Sequence, residues 1–501
     1  MTLVAQIAGP VGCAGLAVLL VAARRDLRIA GLAAWAVGLG GLGLYLAPNV
    51  SRPLLAAGAV AGLLATVVGA WLLTRYPYLL AFATLACLPI RLRVDIGSDS
   101  ASLLLPLYAV VMMLALSLAW QLLRGDSRTR ELGPVALPLA AVVFWTGLSL
   151  AWSVDPKKGS IFVAAFILPF GLLAIGFARL PWRGRWLTWL WAGLVLTALA
   201  YASVGMYQWV TRDVFWNPGV IVGNAYAPFF RVNSVFWDPS IYGRYLAVAI
   251  LVTLAGIVLG GVRGYRIVVL YLVVAAIWVG LAFSYSQSSM IALSVGVVVS
   301  AAVAWGRRAL VALVALGLLV VVVGVATPQL RHEITGKSGR GLNKVTSGRS
   351  NLVSEGIRIA VDHPIVGIGV GGFRHAYAER TGAKGADPKR VASHTMPITV
   401  AAEGGIIGLA LLCWLVVAAL AATLLRLGVG FTSRTSLAIG VALVAITVHS
   451  FFYAAFFEDP LTWALLGLIG VVALVPKKPG RAAPPDVVVP PEDVAPAAPA
   501  A

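Results

Sequence analysis

Four of the chain's five histidines, His332, His363, His375 and His394, fall in one polar insert, residues 327–396, between apolar stretches that end near Ala326 and resume at Met396. The insert also carries eleven Lys/Arg against five Asp/Glu, a balance of +6. Imidazole exchanges protons near neutral pH, with an unperturbed pKa of roughly 6.5, which suits it to take a proton from a sugar hydroxyl. Guanidinium is a fixed charge that grips phosphate oxygens two at a time. Together they could hold a phosphorylated lipid and transfer a proton beside it. No two of these histidines stand one helical turn apart, so the pattern does not read as a zinc site. His394 stands where the chain re-enters apolar sequence through Pro397 and Glu403-Gly404-Gly405, and is the candidate base.

Two arginines have a place in the same chemistry. Arg231 lies in Phe229-Phe230-Arg231-Val232-Asn233-Ser234-Val235-Phe236-Trp237-Asp238-Pro239, just before an apolar run. It reads either as an interfacial arginine in an aromatic belt with Trp216, Phe229, Phe230, Phe236 and Trp237, or as a phosphate clamp at headgroup depth. Arg349 opens a stretch in which Val353, Ile357 and Ala360 recur at helical spacing until Pro364, as an amphipathic helix lying on a membrane domain requires. In the first turn it opposes the helix dipole. That placement is a solvated surface arginine or an anion site where free N–H groups and guanidinium meet one ligand. Glu403, Arg358 and Asp238 are supporting candidates. Glu403 is read as a structural carboxylate paired with an arginine or with backbone, since an isolated one in a span is costly, with orientation of His394 as the alternative.

The glycine-dense Pro364-Ile365-Val366-Gly367-Ile368-Gly369-Val370-Gly371-Gly372-Phe373 has no Lys-Ser/Thr after it and no strand before it, which excludes a nucleotide loop. It predicts a tight turn passing close to a helix or to lipid. The Ser284–Ser289 cluster predicts a polar break at the outer surface. His449 lies in a span with no acid at i±3 or i±4 and is read as a packing or hydrogen-bonding residue.

The elements that must position these residues follow from composition. With 60% hydrophobic and 11% charged residues over 501 positions, the apolar side chains could not all be hidden inside a water-soluble globule. A span needs roughly 20 apolar residues and must satisfy its own backbone, which selects helices. The fold class is all-α, a polytopic membrane bundle of about 12–15 helices, estimated from span length, with a large helical loop. Apolar runs place helices near 3–22, 29–47, 53–74, 77–90, 102–123, 134–152, 160–178, 187–208, 240–261, 267–283, 289–305, 309–326, 397–425, 435–456 and 459–475. Lys and Arg gather in alternate loops, which puts those loops in the cytoplasm and the 327–396 insert outside. The net charge of +19 is taken up largely by these topology-setting loops and by anionic lipid, so nucleic acid is not expected as a partner.

Cys13, Cys87 and Cys413 each sit in a span and read as packing residues. The first apolar run lacks a basic region before it and reads as a retained helix. Residues 1–476 form one membrane domain, and 477–501, rich in Pro and Ala, read as a disordered cytoplasmic tail.

Arg231 before a span, the Phe283–Ser289 turn, Gly348-Arg349-Ser350, His363-Pro364-Ile365-Val366-Gly367-Ile368-Gly369, and His394 followed by Glu403-Gly404-Gly405-Ile406-Ile407-Gly408 come in an order that resembles the O-antigen ligase and O-antigen polymerase family. The likeness is concentrated in 229–410; the first two hundred residues agree mainly in hydropathy and in the Leu88-Pro89-Ile90-Arg91 turn. It implies a C-type membrane glycosyltransferase of a bacterial plasma membrane with an extracytoplasmic active-site loop. The family moves a glycan from a polyprenyl-diphosphate carrier to an acceptor hydroxyl, in a glycan or glycolipid, without metal or other cofactor. By position, Arg231 and Arg349 would hold the diphosphate and His394 would be the base. The chain has Thr395 where the family commonly has asparagine, Gln287 in place of an arginine, and Leu352 or Val353 in place of an aromatic. These departures bear on the acceptor more than on the reaction class. Two other functions fit a polytopic protein: a transporter or flippase of the same lipid, which would favour ionisable residues along a central path, and a non-enzymatic envelope scaffold.

Overall fold

The computed structural model describes residues 2–46, 52–96, 99–126, 128–129, 131–182, 185–226, 229–259, 262–326, 349–382, 395–425, 431–453 and 455–473. Much of the insert, His394 included, and the tail expected over 477–501 lie outside the described residues. Among the described residues, eleven helices are long and apolar enough to cross a membrane, and Gly62–Arg75 and Pro460–Ala473 are shorter apolar ones. The chain is an all-α polytopic membrane protein.

Helices α1 (Thr2–Val21) and α2 (Arg25–Leu46) form the first pair. They approach so closely that a Cβ on Gly38 would stand 2.3 Å from the Gly12 Cα, and one on Gly15 2.5 Å from the Gly31 carbonyl oxygen. In lipid, helix association depends on such close packing, because the surrounding chains are as apolar as the side chains. α3 (Arg52–Arg75) leads to the short α4 (Leu79–Cys87), which occupies the abbreviated run at 77–90. An antiparallel hairpin follows, β1 (Leu92–Ile96) with β2 (Asp99–Leu103). The alternation of Leu92, Val94 and Ile96 with Arg93 and Asp95 before Gly97-Ser98 is its sequence signal.

After α5 (Leu105–Leu123) and α6 (Ala136–Ser149), the single helix expected over 160–178 divides into α7 (Pro156–Phe162), a π turn at Val163–Ile167, and α8 (Leu168–Arg179). Asp155 accepts a hydrogen bond from the Lys158 N–H at 3.0 Å and starts α7 ahead of Pro156. α9 (Trp186–Thr211) and a short α10 (Pro218–Tyr226) precede α11 (Pro239–Val258), α12 (Tyr265–Phe283) and α13 (Gln287–Ala326). α13 bends at Gly306, φ 72°, between the two spans read from the sequence. Beyond the insert's first part come α14 (Arg349–Asp362), α15 (Phe373–Thr381), α16 (Met396–Leu424), α17 (Phe431–Ser450) and α18 (Pro460–Ala473).

α8, α11, α17 and α18 form the buried centre. α12 is peripheral and leaves Val268, Tyr271 and Leu272 exposed, as a helix facing hydrocarbon should. At the end of the bundle where α8 finishes, charges close on one another. Glu131 takes ion pairs from Arg28 at 2.8 Å and Arg179 at 2.6 Å, while Asp126 takes them from Arg179 at 2.6 Å and Arg128 at 2.5 Å.

Three local readings change. Ser284, Ser286, Ser288 and Ser289 are buried rather than at the surface, because α11 passes over them: a Cβ on Gly243 would lie 2.7 Å from the Ser289 hydroxyl. Phe236 is 2% exposed and packs against Tyr201, Tyr242 and Tyr245 instead of joining an interfacial belt. Cys413 is exposed rather than packed.

Candidate active site

The site begins with a broken helix. At Gly405, φ 65°, α16 leaves helical geometry, and the backbone groups freed there meet the glycine-dense turn. The Ile368 N–H donates to the Ala402 carbonyl at 3.0 Å, the Gly369 N–H to the Glu403 carbonyl at 2.9 Å, and the Ile406 N–H to the Pro364 carbonyl at 2.8 Å. On its other side the turn is held by the α6–α7 corner: the Val154 N–H donates to the Ile368 carbonyl and the Ser153 hydroxyl to the Val370 carbonyl. Irregular backbone is tolerated at such a place because protein groups satisfy it. Glycine is required by space and by conformation. Gly369 and Gly371 have φ of 85° and 80°, and a Cβ on either would come within 2.3 Å or 2.2 Å of backbone at Ser153 or Gly159.

Against this wedge lies a cavity of about 290 Å³. Trp145, Phe162, Phe457 and Met396 supply apolar walls, Thr146 and Thr399 hydroxyls, and Lys158, Glu403 and Glu458 its charges. Glu403 is oriented by the Phe373 N–H, which donates to its Oε1 at 3.2 Å. Glu458 belongs to the segment between α17 and α18. The Arg91 guanidinium donates to the Glu458 carbonyl at 3.0 Å, and Arg244 pairs with neighbouring Asp459 at 2.9 Å and donates to the Ala455 carbonyl. Burial pushes the Glu458 carboxyl above its ordinary range, against the lowering pull of Arg91 and Arg244.

The expected site residues fall into different parts of this end of the bundle. Arg231 is part-buried; its Nε donates to the Ser284 carbonyl at 3.1 Å, and its own backbone N–H and carbonyl are bridged by the Asn224 amide. Asp238 caps α11, accepting from the Ser240 N–H at 2.7 Å. Arg358 is exposed and pairs with Glu355 at 2.7 Å. Arg349 opens α14, and its side chain, like the whole of His394, lies outside what is described. The Ser284–Ser289 turn is tied to α17: Ser288 shares a hydrogen bond of 3.1 Å with His449, whose ring lies 5.5 Å from that of Tyr453, in the segment that also carries Glu458.

Sequence reasoning passed over Lys158, Arg244, Glu458 and Asp459. The acidic pair Glu458-Asp459 in an otherwise apolar final stretch was a usable signal, since carboxylates at the edge of hydrocarbon are costly unless engaged.

A membrane helix bundle with a cavity built on a broken helix and lined by charged and aromatic side chains is the class these features define. The O-antigen ligase family model matches residues 270–413, from within α12 to within α16, and supports the O-antigen ligase/polymerase family for this chain. No curated protein matches it. The match supports an O-antigen ligase-like membrane function in polysaccharide biosynthesis and a glycosyltransferase-like enzyme; with eleven apolar helices it fits a multi-pass protein of a bacterial plasma membrane.

Proposed function

We propose that the protein transfers a glycan from a polyprenyl-diphosphate carrier to an acceptor hydroxyl at the extracytoplasmic face, with inversion and without a metal ion. His394 takes the proton of the acceptor hydroxyl as its oxygen attacks the anomeric carbon. The bond from that carbon to the diphosphate oxygen breaks, and the diphosphate leaves with the bonding pair. Negative charge grows on the leaving group, so the guanidiniums of Arg231 and Arg349 stabilise the transition state more than the ground state. Glu403 holds the turn that borders the reacting groups, while Asp238 and Arg358 act at a distance by capping α11 and ordering α14.

The observation that carries this reading is the cavity's construction. The family-matched segment supplies Val370 and Gly371 from the turn and Met396, Thr399 and Glu403 from α16 to its lining, and Met396 follows His394 by two residues. The test is reconstitution of purified protein with a defined polyprenyl-diphosphate glycan and candidate acceptors, with and without chelator. The expected result is a new glycosidic bond formed in step with release of carrier diphosphate, unaffected by chelator. Lipid movement across the bilayer with no new bond would replace this reading with transport.

A further inference from the structure

The cavity beside the kink in α16 differs in charge from what a diphosphate requires. Its lining brings two carboxylates, Glu403 and Glu458, against one ammonium, Lys158. A pyrophosphoryl group placed there would find Lys158 as the one cation on the lining, since Arg91 and Arg244 lie behind Glu458 and are engaged by the Glu458 carbonyl and by Asp459. A neutral sugar ring meets complementary chemistry instead. Trp145 and Phe457 offer apolar faces, Thr399 a hydroxyl, and the carboxylates accept hydrogen bonds from ring hydroxyls, which charged acceptors make stronger. A cavity of about 290 Å³ lies at the low end of the range for small-ligand sites, as befits a single ring rather than an extended chain. The fixed cations that could take a diphosphate, Arg231 among them, belong to other segments.

The geometry points to this cavity as the subsite for the acceptor's terminal sugar, with Glu458 accepting from a ring hydroxyl and the donor diphosphate excluded. The assignment rests on the transfer reading above and divides its labour: acceptor ring in the cavity, carrier diphosphate outside it. Met396, at the cavity's edge, is reached from His394 through Thr395 alone, so the base of that reading is adjacent in sequence to the subsite.

Saturation-transfer NMR on the full chain in nanodiscs tests the subsite without a donor. The probes are methyl glycosides of glucose, galactose, mannose, rhamnose and N-acetylglucosamine, with inorganic pyrophosphate as competitor. Expected is binding of at least one glycoside, undiminished by pyrophosphate and weakened about tenfold in Glu458→Gln, whose neutral amide oxygen accepts more weakly than a carboxylate. The wild-type competition needs no variant to fold. Displacement of the glycoside by pyrophosphate would overturn the proposal by making the cavity a diphosphate site, and binding indifferent to Glu458→Gln would place the sugar elsewhere. If no glycoside binds yet reconstituted transfer proceeds, the subsite fails and the transfer reading stands; if glycoside binds as expected but transfer is absent, the transfer reading fails instead.

Discussion

The two ends of the buried helix pair α7–α8 carry the same kinds of side chain to opposite effect. Where α8 finishes, Arg179 joins Arg28, Asp126, Arg128 and Glu131 in ion pairs of 2.5–2.8 Å. Where α7 begins, Lys158 shares with Glu403 and Glu458 the lining of a cavity. Charges satisfied by one another position helices, and the space that Arg128 and Arg179 also border is the smaller one, about 160 Å³ against about 290 Å³. Charges arranged around a space, held instead by backbone N–H groups and by a helix break, can act on something that enters. Buried charge alone therefore does not mark a functional site in this chain; what sets the α7 end apart is a larger space with two carboxyl groups and an ammonium on its walls.

Substitutions at the two ends should separate stability from chemistry. For the proposed chemistry, His394→Ala is expected to lower the transfer rate by about 10²–10⁴-fold, the range for losing a general base, and Arg349→Ala by about 10²–10³-fold. Neither should move the thermal unfolding midpoint, so a large shift in it would reassign these residues to structure. At the ion-paired end, Glu131→Ala leaves Arg28 without its carboxylate and Arg179 with Asp126 alone, and should cost about 3–5 kcal/mol of stability. Unfolding of purified protein in detergent measures this, and a neutral result would dissolve the contrast.

The break in α16 belongs to the cavity end but is structural. Gly405→Ala must place a Cβ at positive φ, within 2.1 Å of the Ile365 carbonyl oxygen, and should destabilise by more than about 1 kcal/mol from the backbone conformation alone. Transfer should fall together with protection of the 364–372 amides in hydrogen exchange. Retained protection would mean that the turn does not depend on the kink.

The smallest effect is expected with pH. Burial raises the Asp126 carboxyl, but hydrogen bonds from Arg128 and the charges of Arg179 and Arg128 outweigh it and hold its pKa at about 2, against 3.8 ordinarily. A depressed carboxylate contributes stability that is fully present above the ordinary value and is lost as pH falls through the folded one. The unfolding midpoint should therefore decline between about pH 4 and pH 2, the two pKa values that bound the window, and Asp126→Asn should flatten that decline. An unchanged slope in the variant would remove Asp126 from the network's energetics.

Much of the fold was legible in the sequence because hydropathy is a local property. The run at 397–425 gave α16 almost to its ends, and Pro364 marked the stop after α14. The kink within α16 was written in Gly404-Gly405, yet a pair of glycines in an apolar run is equally compatible with a straight helix. Of the expected site residues, Arg231 is held by the Ser284 carbonyl and Glu403 lines the cavity, and both settings are made by elements far apart in the chain. The polar turn at Ser284–Ser289 read as surface because its own composition is polar, whereas its burial depends on α11 and α17, which hydropathy cannot position.

By itself the sequence determined the solvent, the helical class, the run of spans and the family likeness of the loop region, since each depends on residue type and short spacing. The tertiary structure decided which charges come together: Glu131 meets Arg28 across 103 residues and Arg179 across 48, and Lys158 and Glu458 line one cavity. Those partnerships are settled by helix packing, where glycine contacts and a broken helix set distances to a fraction of an ångström, and no local pattern of residues encodes such distances.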